Sequence, residues 1–251
     1  NWSRIKQVFV QLQSGKCAYC ERKLGKGSHL KVEWDLEHFR PKSAISVWPT
    51  AKMKKRGLLF SHNFNLGTAS ETGYYLLAYD LRNYAVGCKA CNSSFKRTYF
   101  PVAATRQLNS KDLATIAQEM PLLIFPIGDW GDDPETYLDF DEIVPIPRKT
   151  DLVVQRRAQV TIDFFSLGTR EELLEERSNL ITKLWAIHQA HKGMADPDEI
   201  ADAQRLIEIH QRIGAPHAAC CRSYVALISI DEARAMAMAR AANAFLDSKG
   251  S

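Results

Sequence analysis

The stretch CKACNSSFK, residues 88–96, decides how the chain is read. Its Cys88 and Cys91 repeat the C-x-x-C spacing of an earlier pair, Cys17 and Cys20, in CAYC. Each such turn aims two sulfurs at one point. Two turns together complete a tetrahedral four-sulfur site, which suits Zn2+. All four positions are Cys, so none is left open for water, and a structural site is expected. It would tie together segments with 67 residues between them, with a metal-binding free energy on the order of 10 kcal/mol. A single C-x-x-C also occurs as a redox pair, but neither pair here opens a βαβ unit. Cys220 and Cys221 are neighbours on an expected helix and read as small buried residues. Four of the six cysteines lie in the two pairs, which argues against a disulfide framework and for a reducing, cytoplasmic compartment.

Outward from the knuckles, the sequence divides by charge. Residues 1–104 hold 17 Lys and Arg against 6 Asp and Glu; residues 105–251 hold 16 against 23. The whole chain of 251 residues shows only +4. The basic part is a candidate surface for a polyanion. The acidic part reads as a scaffold or a protein-binding surface. Hydrophobic residues at 45% and charged residues at 25% fit a globular protein and exclude wholesale disorder. No apolar run approaches the roughly 18–20 residues that span a bilayer, and no charged-then-apolar leader stands at the start.

Periodicity places the elements. Ile5, Val8, Phe9 and Leu12 predict a leading helix over 2–13, ended by Gly15. Leu30, Val32, Trp34 and Leu36 alternate with polar neighbours. This predicts a strand over 29–39 with Glu33, Asp35 and Glu37 on the face opposite the buried one. Residues 43–73 read as a long loop or insertion with one helical turn and a basic cluster, Lys52, Lys54, Lys55 and Arg56. A helix is expected from Asn92 towards Pro101, and another over 109–120 with Asn109 or Ser110 as its N-cap. Residues 121–150 read as a connecting segment, or one short strand pair. The rest is helical: 151–166, 170–191 with Leu173, Leu174, Leu180, Ile181, Leu184, Ile187 and His188 on one stripe, 197–213, and one or two Ala-rich helices over 217–247.

The order C-x-x-C, Glu37-His38, Asn83, then Cys88-x-x-Cys91-Asn92-x3-Lys96 resembles the HNH nuclease family in its four-cysteine zinc form. The resemblance implies an α+β, predominantly α protein. A small ββα-metal core with structural zinc would fill a basic nuclease domain over 1–104, and 105–150 would connect it to a helical partner-binding region over 151–251. It implies that His38 is the general base and that Glu37 and Asn92 hold Mg2+ or Mn2+. Asn83 would fix the hairpin loop and so orient His38, and Arg40, Lys42 and Lys96 would contact phosphates, with the basic cluster beside them. Family members more often carry Asp where Glu37 stands, and Asp35 is the fallback ligand. EHFRPK (37–42), LAYD (77–80), Phe100-Pro101, PLLI (121–124) and DDPE (132–135) further resemble the HNH subunit of bacterial Septu-type and retron-linked anti-phage systems, over roughly residues 14–180. That likeness implies an ATPase partner of the ABC or SMC-like kind, docked on the acidic helices.

The expected activity is metal-dependent hydrolysis of phosphodiester bonds in DNA. Two alternatives stay open: an effector that cuts RNA such as tRNA, and a zinc-knuckle subunit that binds nucleic acid without cutting it. Tyr74, Tyr75, Tyr79 and Tyr84 are available to stack bases, but all four also suit a core. His188 and His191 at i and i+3 lack a carboxylate to complete a metal set, and packing explains them better.

Overall fold

A computed structural model describes residues 2–25, 33–55, 62–128 and 131–249. The fold is α+β and predominantly α. Helix α1 (Trp2–Leu12) is followed by the first knuckle, then strand β1 (Trp34–His38). The long segment after β1 carries one short helix, α2 (Ala51–Lys55), and two 3-10 turns, Tyr75–Leu77 and Leu81–Asn83. Strand β2 (Tyr84–Cys88) then pairs antiparallel with β1, with His38 opposite Tyr84 and Glu37 opposite Ala85. A π-helix, Ala90–Lys96, completes a strand–strand–helix unit. Helix α3 (Leu113–Ala117) and a second hairpin, β3 (Leu138–Asp141) with β4 (Val144–Pro147), lead to α4 (Leu152–Phe164). The chain ends in α5 (Glu171–Lys192), α6 (Pro197–Gln211), α7 (Ala218–Ile230) and α8 (Glu232–Asp247).

Local chemistry sets these bounds. Asp112, rather than Asn109 or Ser110, caps α3 by accepting from the Thr115 amide. Asp151 caps α4 through the Val153 and Val154 amides. Asp196 caps α6, with Pro197 in its first turn. α5 opens on Glu171 and Glu172 and closes on His191 and Lys192, signs that match the helix dipole. In α1 only Phe9 of the expected stripe is fully buried; Val8 and Leu12 are exposed. Gln13, just beyond α1, acts as a short extra strand: its side-chain amide donates to Val86 O (2.9 Å) and accepts from Val86 N (2.7 Å).

Two apolar cores result. The first gathers Phe9, Tyr19, Phe39, Trp48, Tyr74, Phe100, Leu123 and Phe125 and continues through Phe164 and Phe165 to Leu173. The second packs Leu180, Ile181 and Leu184 of α5 against Cys220, Cys221 and Tyr224 of α7 and Ala235, Met238 and Ala239 of α8. Helix α5 therefore belongs to both. Burial pushes the thiols of Cys220 and Cys221 up to about 12, as befits inert packing residues. On α6 the expected stripe is only partly used, since Leu206 is exposed and Ile213 beyond its end is too. No helix among the described residues is long and apolar enough to cross a membrane.

Candidate functional site

The four knuckle cysteines converge. Cys17 and Cys20 follow α1, Cys88 ends β2 and Cys91 lies in the π-helix. All are buried, and their sulfurs lie within 4.8 Å of one another. Cys20 Sγ and Cys88 Sγ are 3.7 Å apart. A tetrahedral zinc with Zn–S bonds of about 2.3 Å would separate its sulfurs by about 3.8 Å. Backbone amides point at the sulfurs, Cys88 N at Cys17 Sγ (3.3 Å) and Cys91 N at Cys88 Sγ (3.5 Å). Arg170, at the start of α5, donates to Cys91 Sγ at 3.2 Å. Sulfur neighbours drive Cys20 up and Cys88 down, and burial drives Cys91 up, because four close thiols cannot all ionise alone. A divalent cation removes that conflict. The donor set fits Zn2+, with no coordination position left over.

His38 stands at the end of β1, half-buried, with its ring 4.6 Å from that of Tyr84. Its Nε2 lies 3.0 Å from Ala78 O. A carbonyl only accepts, so Nε2 carries the hydrogen in this bond and Nδ1 keeps a lone pair. Tyr84 donates to the same carbonyl at 2.5 Å. Burial pulls the His38 pKa below its ordinary value. The Ala78 bond opposes that shift, and Lys42 and Lys96 add to it. The net shift favours the neutral imidazole.

Asn83 is fully buried and grips the chain just after His38. Its Oδ1 accepts from Arg40 N (2.8 Å), its Nδ2 donates to Arg40 O (2.9 Å), and its own carbonyl accepts from Phe39 N (2.8 Å). Gly73 seals the same place: a Cβ there would lie 2.4 Å from Pro41 O and 2.0 Å from Ser43 O, so only glycine fits. Asn83 thus ties the loop to the strand end that carries His38.

Glu37 is the most buried residue of β1, although alternation predicts its face to be the polar one. Tyr19, inside the first knuckle, covers it and donates its hydroxyl to the carboxylate. Burial pushes Glu37 up, and the Lys96 ammonium pulls it down. Asn92 lies on the same hairpin face: a Cβ on Gly87 would sit 3.5 Å from Asn92 Cβ and 3.6 Å from the Tyr19 ring. A carboxylate and an amide are oxygen donors of the kind a hard cation takes, and here the carboxylate is 6% exposed beneath Tyr19. Asp35, the fallback, pairs with Lys89 at 2.7 Å.

The chain is similar to Septu protein PtuB of Bacillus mycoides (strain KBAB4). The two are 30% identical over 176 residues, which is 70% of this chain and 50% of the relative. The chain thus spans about half the length of the curated relative it matches. That similarity relates it to the Septu proteins. No family model matches the chain, and no solved structure matches it.

The expected phosphate contacts divide. Lys42 and Lys52 are exposed. Lys54 and Lys55 lie on α2 with side chains outside the described residues, and Arg56 lies outside them altogether. Arg40 and Lys96 are placed differently from the expectation, inside the protein. Arg40 is 4% exposed, and its Nε donates to Glu119 Oε1 at 2.7 Å. Glu119 is fully buried and also accepts from the Tyr74 hydroxyl at 2.6 Å. Lys96 is fully buried, donates to Tyr99 O at 3.1 Å, and has its pKa lowered by burial. A basic residue in a motif does not say which face it takes, and here the rings of Phe39, Tyr74 and Phe100 enclose Arg40. Tyr19, Glu119, Arg170 and the Ala78 carbonyl were not foreseen. Only Tyr19 left a signal, since a residue between two knuckle cysteines has a fixed position.

Proposed function

We propose that the chain is an HNH-type endonuclease that hydrolyses phosphodiester bonds, with DNA as its substrate, and that it serves anti-phage defence in the cytoplasm. The observation that carries this reading is the placement of His38, whose Nε2 is held by the Ala78 carbonyl at 3.0 Å, which leaves Nδ1 as the basic nitrogen. Nδ1 takes the proton from the attacking water. Ala78 and Tyr84 hold the ring, and Asn83 holds the strand end beneath it. Lys42 and Lys52 meet the phosphates. Glu37 and Asn92 would hold Mg2+ or Mn2+, which when bound supplies charge stabilisation at the scissile phosphate. The knuckle zinc is structural. The relation to a Septu protein supports the defence role, and the acidic helical region supports an ATPase partner docked on it.

Purified chain is incubated with supercoiled plasmid, single-stranded DNA and tRNA, with Mg2+ or Mn2+, beside His38→Ala. Metal-dependent cutting that falls by about 10²–10⁴-fold in the variant is expected. Cutting that survives His38→Ala sinks the base assignment. Preference for tRNA over both DNA substrates moves the reading to RNA. A partner is tested by co-purification with tagged chain from infected cells; absence of a stoichiometric ATPase counts against it.

A further inference from the structure

We propose that Tyr79, with Tyr75 and Lys42, forms a nucleobase-stacking platform beside His38, and that the chain takes single-stranded nucleic acid there. This rests on the nuclease reading and adds its substrate class. The turn from Tyr75 to Asn83 presents two faces. Leu77 and Asn83 point inward and are fully buried. Tyr79 points outward, 88% exposed, with Tyr75, Leu76 and Leu81 exposed around it.

The turn that carries these rings is firmly held. Asp80 N donates to Leu77 O (3.2 Å), Asn83 N donates to Asp80 O (3.0 Å), and the Asp80 side chain accepts from Arg82 N (3.0 Å). With the backbone held, only the side-chain rotamers remain to be fixed when a base stacks on a ring. The position is also decisive: the residue before Tyr79 is Ala78, whose carbonyl accepts from His38 Nε2. Tyr79 is thus one residue from the His38 contact, and it acts on Tyr84, whose ring lies 4.6 Å from that of His38. Exposed cations border the patch. Lys42 acts electrostatically on His38, and Lys111 acts on Asp80. Aromatic faces interleaved with cations match bases and phosphates in alternation, whereas a protein-docking patch needs no such cations. Paired bases inside a duplex have no free face, so the strand must be single or locally opened.

The test is binding without cutting. The zinc-loaded full chain carrying His38→Ala is titrated, without Mg2+ or Mn2+, into labelled thymidine and uridine oligonucleotides of about fifteen residues and into an abasic strand of the same length. Adding Tyr79→Ala is expected to weaken binding to both base-bearing strands about tenfold and to leave the abasic strand unchanged. Tyr79→Trp restores the affinity. Lys42→Ala weakens all three strands alike and lowers the salt dependence. Unchanged affinity in Tyr79→Ala, equal loss on the abasic strand, or no binding of any strand overturns the platform. The two readings fail separately. Plasmid cutting with Tyr79-independent binding sinks the platform alone, and base-dependent binding without cutting sinks the nuclease alone.

Discussion

Around the hairpin, Glu37, Arg40, Lys96 and Glu119 are all buried: Tyr19 donates to Glu37, Arg40 and Tyr74 donate to Glu119, and Lys96 donates to Tyr99 O. In the second core, Leu180, Ile181 and Leu184 of α5 meet Cys220, Cys221 and Tyr224 of α7 and Ala235, Met238 and Ala239 of α8. Regular structure is short in the first region: two strands of 5 residues and a π-helix of 7. Elements that short cannot hold themselves together, and a metal cluster and a polar network tether them in addition to the apolar core. The second region uses helices of 13 to 22 residues, whose apolar stripes form its core. The site half therefore adds specific bonds to its own apolar core, and the helical half relies on the packing of long helices.

Zinc removal should break this comparison most sharply. Chelation, or Cys88→Ser, removes a metal contribution on the order of 10 kcal/mol from the first region. The near-ultraviolet signal of the aromatics there, Trp48, Tyr19 and Tyr84 among them, should collapse. The far-ultraviolet helix signal of α5, α7 and α8 should largely remain. Simultaneous loss of both signals would show that the two cores melt as one unit, with the Arg170–Cys91 contact and the shared helix α5 as its links.

The buried ion pair comes next. Arg40→Met leaves the Glu119 carboxylate inside the protein with only the Tyr74 hydroxyl and the Gln107 amide as donors. Orphaning one partner of such a pair costs about 3–5 kcal/mol, whereas replacing both by apolar residues is often neutral. Urea unfolding should show that loss in Arg40→Met and most of it recovered in Arg40→Met with Glu119→Leu. A cost below about 1 kcal/mol in the single variant would return Arg40 to the surface role that the sequence suggests.

The same contrast explains what the sequence discloses. The helical region is legible because burial and periodicity coincide there: Leu173, Leu180, Ile181 and Leu184 follow the 3.6-residue period and are buried. The zinc cluster is legible because C-x-x-C spacing carries geometry by itself. The hairpin face is not. Alternation puts Glu37 on the polar face, but Tyr19 and the π-helix cover that face and turn a surface carboxylate into a buried one. Arg40 and Lys96 mislead for the same reason. A charge in a motif signals that a partner is needed, and the partner can be a phosphate outside or a carboxylate inside, as with Glu119, 79 residues away. No local pattern links residues at that distance.

The smallest expected effect lies at the junction of the two regions. Glu176 of α5 accepts from Arg22, just past the first knuckle, and pairs at 2.8 Å with His217, just before α7. His217 is 3% exposed. Burial pulls its pKa down, Glu176 and Glu21 oppose that, and Arg177 adds to it. A folded-state histidine held below its unfolded value stays neutral while the unfolded chain takes up a proton. Its stabilising contribution is therefore present above an unfolded pKa of about 6.5 and is lost as pH falls below that value. Burial pushes Glu176 up, but His217 and Arg22 more than offset it, so its carboxyl lies below the usual range. Its own contribution is lost only in the more acidic range below about 4.3. Between pH of about 7 and 5 the fall in stability should thus come from His217 together with His38 and His210, which burial also holds low, and His217→Gln should reduce the slope of the urea midpoint across that window. If the variant keeps the wild-type slope, the acid sensitivity lies elsewhere, and the junction is as indifferent to charge as the helical core beyond it.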